Sequence, residues 1–584
     1  MHKKIAGIIF ILLIITVGLF LYKNSLGGDF IWDDYSLVRD NVNIRSWSNL
    51  DNIFTKNIGF GARKTSVFYR PFYILSFMLD YSLYGDNPQG YHRTNVILHV
   101  FNAVLLYWLL VLLFGNNVFA LWTSLLFTVH PVQVESVVYI SSRGNVLGAF
   151  FLLLCLIIYI YSGRLRSKWL YLLALLTFAF ALLTKENTIV VLFLFALSDY
   201  MVDKKIKIKM LVTPFVITVV YFIFRSMLLE TNMPDTSLLG SVIDRIPGFF
   251  VAVLSYIRIF LFPFHLHMGY GQKLFSFMNP LAILGFILSV GVLVYAVKNR
   301  QRNRLFFFSI MWFFLTLLPF SNIYPIAFYM SENYIYIPSI GFFMITANLL
   351  SRKYNFKFSK QIVSALGILL IIVYSLLTIK QISKWENPVV FFENSVKYEP
   401  NNVDLLLNLS VAYQDDERPE EAIEILEKII DLEPYYVQAY NNLGTIYDKN
   451  KDYLKAIKTY KQALAIEPNF IGAYYNLASL FAKTGRVEVA EKMFHKIIKA
   501  DADYAGAYYR LGEIYSSKQL YQKAIEIYQS LLKVYPNNVR VNYNLAILYK
   551  QQGKDDLAQK YSNRLIELGY AHEAEKIGET QSNE

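Results

Sequence analysis

The sequence predicts an all-α protein in two parts: a polytopic bundle of membrane-spanning helices, then an α-solenoid of paired helices. Three observations predict it. The 584-residue chain is 55% hydrophobic and 16% aromatic but only 17% charged, against about 25% charged in an ordinary soluble domain. Its long apolar runs all lie before Lys384. From Asn401 the chain repeats itself every 34 residues. A single soluble enzyme, a disordered chain, a collagen and a disulfide scaffold are all excluded. The one cysteine, Cys155, sits inside an apolar run. The net charge of +12 divides unevenly, with 33 basic and 15 acidic residues before Glu386 and 23 basic and 29 acidic from it onward. The positive half is the apolar half, so the charge flanks membrane spans, and no nucleic-acid partner is expected.

Crossing ~30 Å of hydrocarbon takes about 20 apolar residues in a helix. About eleven runs qualify: Ile5 to Tyr22, Thr94 to Phe114, Val118 to Ile140, Asn145 to Tyr161, Trp169 to Leu183, Asn187 to Met201, Met210 to Leu229, Pro280 to Val297, Leu305 to Phe320, Tyr334 to Leu350 and Ile362 to Ile379. The first starts with His2, Lys3 and Lys4, and no small-x-small cleavage site follows in Leu21–Gly28, so it reads as an uncleaved anchor. Basic residues cluster after alternate spans: Arg164, Arg166 and Lys168; Lys204, Lys205, Lys207 and Lys209; Lys298, Arg300, Arg302 and Arg304; Arg352, Lys353, Lys357 and Lys360. With the N-terminus inside, all four clusters fall inside. The opposite short turns hold Arg143 and Lys185. The apolar segment Phe249–Pro263 is short, contains Arg258 and reads as an interfacial helix on the outer face. An odd number of spans puts everything after Lys380 outside. The expected domains are 1–384 (membrane part, with an outer loop at 23–93), 385–570 (outer repeats) and 571–584 (tail).

In the repeats, Ala422, Ala456, Ala490, Ala524 and Ala558 are each 34 apart, as are Pro400, Pro434 and Pro468. Leu409, Leu443, Leu477, Leu511 and Leu545 form another column, followed by the small residues Ser410, Gly444, Ala478, Gly512 and Ala546. Two helices per repeat pack closely where small residues fall, and proline ends the second. The pattern resembles the tetratricopeptide repeat, with five full copies from Asn401 to Tyr570, and Trp385 to Pro400 matches the second half of a copy. Asn408, Asn442, Asn476 and Asn544 share one column, with Arg510 in the fourth copy. An amide both donates and accepts, so the column suits an extended peptide backbone. It resembles the asparagine ladder in the repeats of the cytosolic O-GlcNAc transferase. The alternative is that these side chains only bond neighbouring helices.

Chemistry is expected on the outer side. Asp33 and Asp34 follow the first span among aromatics. One carboxylate can act as general base toward a hydroxyl while its neighbour orients it or holds a cation. The plainer reading is a solvated turn or helix cap. His130 and Glu135 precede Arg143; Lys185 and Glu186 form the next outer turn, and Glu332 and Tyr334 a later one. Ionisable groups at span ends face a polar cavity or a partner. Arg70, Arg143 and Lys185 suit a phosphate; snorkelling competes for Arg143 and Lys185, and helix-end packing competes for His130.

Together these segments resemble the transmembrane and tetratricopeptide-repeat-containing O-mannosyltransferases, and more broadly the GT-C membrane glycosyltransferases. The resemblance rests on Asp33-Asp34, Arg70-Pro71-Phe72, Tyr91-His92-Arg93-Thr94-Asn95, His130-Pro131 with Glu135 and Arg143, Lys185-Glu186, and Glu332-Asn333-Tyr334 through Pro338. It implies a GT-C-like enzyme with a polyprenyl-phosphate sugar as donor, a hexose such as mannose, a Ser/Thr hydroxyl of an extracytoplasmic polypeptide as acceptor, and inversion at the sugar carbon. Asp34 and Asp33 would be catalytic. Arg70, His92, His130, Glu135, Arg143, Lys185, Glu186, Glu332 and Tyr334 would surround the donor, and Asn408, Asn442, Asn476, Arg510 and Asn544 the acceptor. A divalent cation is left open; membrane lipid and a polypeptide or partner protein at the repeats are the expected partners. One rival is a transferase acting on a glycan or lipid, with the repeats as a partner-binding scaffold. Another is a lipid-linked-sugar transporter. The expected location is a prokaryotic plasma membrane with extracytoplasmic repeats, or an endoplasmic reticulum membrane with luminal repeats in a eukaryote.

Overall fold

The computed structural model describes residues 2–62, 64, 66–229, 241–271, 273–326, 328–351 and 357–579. Among these residues every regular element is helical. The chain forms two compact units, Met1–Leu405 and Leu406–Glu584.

In the first unit each expected apolar run carries a helix. Pro88–Phe114, Ile140–Leu165, Ile208–Leu228, Pro280–Lys298 and Gln361–Trp385 are long and apolar enough to cross a membrane. Ile5–Leu21, Asn117–Val129, Lys168–Thr184, Arg304–Phe320 and Ser339–Ser351 are apolar but shorter. Their outward side chains, among them Ile8, Phe20, Val220, Ile287 and Leu369, are exposed. A soluble protein rarely leaves so much apolar surface to water, whereas lipid tails cover it without penalty. Between helices, small residues permit close approach. A Cβ on Gly341 would lie 2.5 Å from the Ser309 carbonyl, and one on Gly285 would lie 2.2 Å from that of Phe250.

The structure corrects several expectations. The run Val118–Ile140 is not one span: Asn117–Val129 stops at His130, and the short turns Pro131–Gln133, Val134–Val138 and Ile140–Ser142 follow. Pro131 cannot donate to a helix and disfavours helical backbone at the residue before it. Phe249–Pro263 is the end of a longer helix, Val242–Leu261, opened by a Ser241/Asp244 capping box. That helix buries Tyr256, Ile259 and Phe260 and lies against Pro280–Lys298, where the Phe250 and Phe286 rings are 5.2 Å apart. The run Asn187–Met201 yields a Glu186–Val190 turn and a 13-residue helix, Val191–Asp203. Residues 571–579 of the expected tail form the helix Ala571–Glu579, whose Ala574 and Ile577 pack with Ala546 and Leu565. Such a piece covers the end of a solenoid. Arg352, Lys353 and residues 580–584 lie outside the described residues.

In the second unit, five helix pairs run from Val403–Asp415 with Pro419–Leu432 to Val539–Gln551 with Asp555–Glu567. The small column has a direct cause. A Cβ on Gly444 would lie 2.6 Å from the Tyr460 ring, and one on Gly512 would lie 2.3 Å from the Tyr528 ring. Both tyrosines are fully buried. The helix Pro388–Tyr398, which the sequence matches to half a repeat, sits within the first unit.

Candidate functional site

The loop after the first helix opens with Gly28, and a Cβ there would lie 3.1 Å from the ring of buried His92 and 3.3 Å from the Trp385 carbonyl. Trp32 then adopts a left-handed backbone, φ 53°. The two acids that follow meet different surroundings. Asp34 is 1% exposed. Its Oδ2 accepts from the Ile31 amide at 3.0 Å. Its Oδ1 accepts from the Ser141 amide at 2.7 Å and from the Ser141 hydroxyl. Burial pushes its carboxyl up to about 7 against the pull of those donors, and the Asp33 charge adds to the rise. Asp34 is thus a latch between the first outer loop and the Ile140–Ser142 turn. Asp33 is exposed. Its amide donates to the Tyr139 hydroxyl at 3.1 Å. The surrounding protein raises its carboxyl above the usual range, with Tyr139 and Lys64 opposing the rise.

The cations differ as sharply. Arg143 has no exposed surface. It pairs with Asp80 at 2.6 Å and donates to Asn95 at 2.7 Å, to the Ser76 carbonyl at 3.2 Å and to the Tyr91 carbonyl at 3.0 Å. Each of its three nitrogens is bonded, so in this conformation it braces the bundle. Arg70 grips Glu186 through two bonds, the longer 2.9 Å, and lies 4.2 Å over the Phe68 ring. Burial opposes ionisation of Glu186, but Arg70 and then Lys185 overcome it and hold the carboxyl at about 2. Lys185 is half-buried and donates to Asn145 at 2.6 Å. Burial, then the Arg70 charge, lowers its ammonium to about 7.

Tyr73 joins the two groups. Its hydroxyl donates to the Ser141 carbonyl at 2.8 Å; burial raises that hydroxyl above the ordinary phenol range, the Arg70 and Arg143 charges opposing the rise and those of Asp34 and Asp33 adding to it. A Cβ on Gly144 would touch Lys185 at 3.5 Å and Tyr73 at 3.7 Å. Beyond Lys185, Tyr334 stacks on Phe320 at 4.7 Å. Glu135 accepts from the Asn333 amide nitrogens at 3.2 and 2.7 Å and from Ser331 at 3.2 Å; burial raises its carboxyl to about 7. Glu332 accepts from the His267 amide at 2.9 Å and the Tyr270 hydroxyl at 2.8 Å; burial and then the Glu135 charge raise its carboxyl well above the usual range. His130 is buried, one ring nitrogen on the Phe260 carbonyl at 3.1 Å and the other accepting from the Val132 amide at 3.2 Å. It caps two helix ends. The structure therefore gathers Asp33, Asp34, Arg70, Lys185, Glu186, Glu135 and Tyr334 with Arg143 as a brace; Glu332 lies within reach of the Glu135 charge, and His92 and His130 are buried. Sequence reasoning missed Tyr73, Tyr139 and Phe320, which carry no signal apart from the many other aromatics. Among the described residues no three His, Cys, Asp or Glu side chains gather as metal ligands would.

In the second unit the amide column is half-buried at Asn408, Asn442, Asn476 and Asn544, and Arg510 is exposed. Asn476 donates to Asn441 at 2.9 Å across neighbouring repeats. Arg510 pairs with Glu513 at 3.1 Å. The column thus spends part of its capacity on the solenoid.

Residues 403–436, 437–470, 471–504 and 496–569 match models described as tetratricopeptide repeat. A Caenorhabditis elegans protein named protein O-mannosyl-transferase is 24% identical over 432 residues, covering 71% of this chain and 61% of its own. The human protein O-mannosyl-transferase TMTC3 is 25% identical over 463 residues, covering 71% of this chain and 50% of its own. The chain is similar to protein O-mannosyl-transferases. It spans about half to three fifths of the length of these relatives. A solved tetratricopeptide-repeat protein, YrrB, aligns at 15% identity over 32% of this chain and 97% of its own, with a TM-score of 0.26.

Proposed function

We propose that this chain is a membrane glycosyltransferase that moves a hexose, mannose by similarity, from a polyprenyl-phosphate donor to Ser or Thr hydroxyls of an extracytoplasmic polypeptide, with inversion. The observation that carries the reading is that Tyr73 lies between an exposed carboxylate, Asp33, whose charge reaches its hydroxyl, and a half-buried cation, Lys185, which shares the Gly144 surface with it. The lipid tail of the donor lies along the exposed apolar helices and its phosphate rests at the cluster. The acceptor hydroxyl oxygen attacks the sugar carbon from the face opposite the phosphate. Its proton passes to the Asp33 carboxylate. The bond between the sugar carbon and the phosphate oxygen breaks, and the electron pair leaves with polyprenyl phosphate, whose added charge Lys185 offsets. Arg70 with Glu186 keeps the Lys185 turn in place, and Asp34 holds the loop that presents Asp33. A general base of this kind contributes ~10²–10⁴ in rate. The amide column of the repeats holds the acceptor chain, which raises its local concentration.

On this reading the repeats and Asp33 share the compartment outside the cytoplasm, whether at a prokaryotic plasma membrane or in the lumen of an endoplasmic reticulum. Mass spectrometry of outer-surface proteins from cells with and without this chain tests it. Hexose on Ser or Thr of secreted or surface polypeptides disappears when the chain is removed. An unchanged protein profile, with altered glycans or lipids instead, contradicts it.

A further inference from the structure

Asp33 is held by a closed ring of contacts that the reaction does not by itself require. Its amide donates to the Tyr139 hydroxyl at 3.1 Å. The Tyr139 ring packs on Trp385 at 5.6 Å, Trp385 on Phe391 at 4.5 Å and Phe391 on Phe392 at 4.9 Å. Phe392 packs on Trp32 at 6.1 Å, and Trp32 is the residue before Asp33. Tyr139, Trp385, Phe391 and Phe392 are all buried. The Asp29 amide donates to the Glu386 carbonyl at 3.1 Å, tying the same two segments by backbone. Trp32 sits at φ 53°, a conformation that a bulky residue keeps only when its surroundings hold it. Its side chain finds that support on Phe392.

We propose that Phe392 is a positioning residue for Asp33, acting through Trp32. The ring of Phe392 keeps Trp32 left-handed, which turns Asp33 to solvent and Asp34 into the protein. The helix Pro388–Tyr398 is then part of the catalytic framework and not merely a lead into the repeats. This rests on the proposed role of Asp33, so the test includes a readout that needs no activity.

The experiment uses the full chain in lipid nanodiscs, with a polyprenyl-phosphate hexose and a Ser/Thr-rich peptide. Phe392→Leu keeps an apolar side chain and removes the ring. It is expected to lower kcat about tenfold while the donor KM stays within about twofold, and to move the acid limb of the kcat–pH profile. Phe392→Trp restores most of the rate. Hydrogen exchange in the Gly28–Asp34 segment speeds up in Phe392→Leu and not in Val390→Ala, an exposed position on the same helix. Unchanged exchange in that segment, or a lower kcat with an unmoved acid limb, overturns the proposal. Absence of any transfer by the unaltered chain sinks the reading of Asp33 instead, and the exchange measurement still decides whether Phe392 sets the loop.

Discussion

Asp33 and Asp34 carry the same side chain and sit in opposite surroundings, one exposed and one buried. The left-handed turn at Trp32 costs roughly 1–2 kcal/mol for a residue other than glycine. In return one carboxylate is buried under three donors and the other is open. Arg143 and Lys185 likewise look alike in sequence, each a lone cation at a span end. Asp80, Asn95 and Ser76 separate them, and they come from parts of the chain that only the fold brings to Arg143. That division was not legible, because the partners of a buried cation are set by packing. The residue scale also sets the pH dependence. A base must be ionised, so kcat falls as pH drops through a value above the ordinary carboxylate range, where Asp33 is held. Lys185 loses its charge as pH rises past about 7, so donor KM climbs on that side. Measuring kcat and KM from about pH 5 to 9 checks both limbs. In Lys185→Arg the rise in KM flattens, since arginine stays charged.

At the scale of elements, the apolar runs and the 34-residue period located most helices, because each carries its own periodicity. The errors fell where one residue overrides a run. Pro131 ended a helix that composition extended to Ile140, and the Ser241/Asp244 box started one earlier than apolarity alone implied. A further column escaped the reading. Glu417, Lys451, Gly485, Gln519 and Gly553, one per repeat between its two helices, all have positive φ. Mixed residue types hid it, since only Gly485 and Gly553 announce the conformation. The small column was legible, and its cause makes a prediction. Gly512→Ala would drive a methyl into the buried Tyr528 ring, so it should destabilise the repeats by about 1–3 kcal/mol. Thermal unfolding of the full chain followed by hydrogen exchange in Ala505–Val534 reads this out. Exchange unchanged there means the packing is looser than described.

At the scale of the molecule, the charge division and the apolar fraction told the two units apart before any contact was known. What they did not tell was where one ends. The 34-residue pattern reaches back to Trp385, yet Trp385, Phe391 and Phe392 pack with Tyr139 and Trp32 in the first unit. Apolar side chains satisfy a repeat and a foreign surface equally well, so periodicity cannot choose between them. The central claim is that Asp33 takes a proton from a polypeptide hydroxyl as sugar is transferred. Its most direct test is transfer by the purified full chain in nanodiscs, from a polyprenyl-phosphate mannose to a Ser/Thr-rich polypeptide, comparing the unaltered protein with Asp33→Asn. The account predicts a rate lower by ~10²–10⁴ with hydrogen exchange of the bundle unchanged; transfer at the unaltered rate in Asp33→Asn would contradict it.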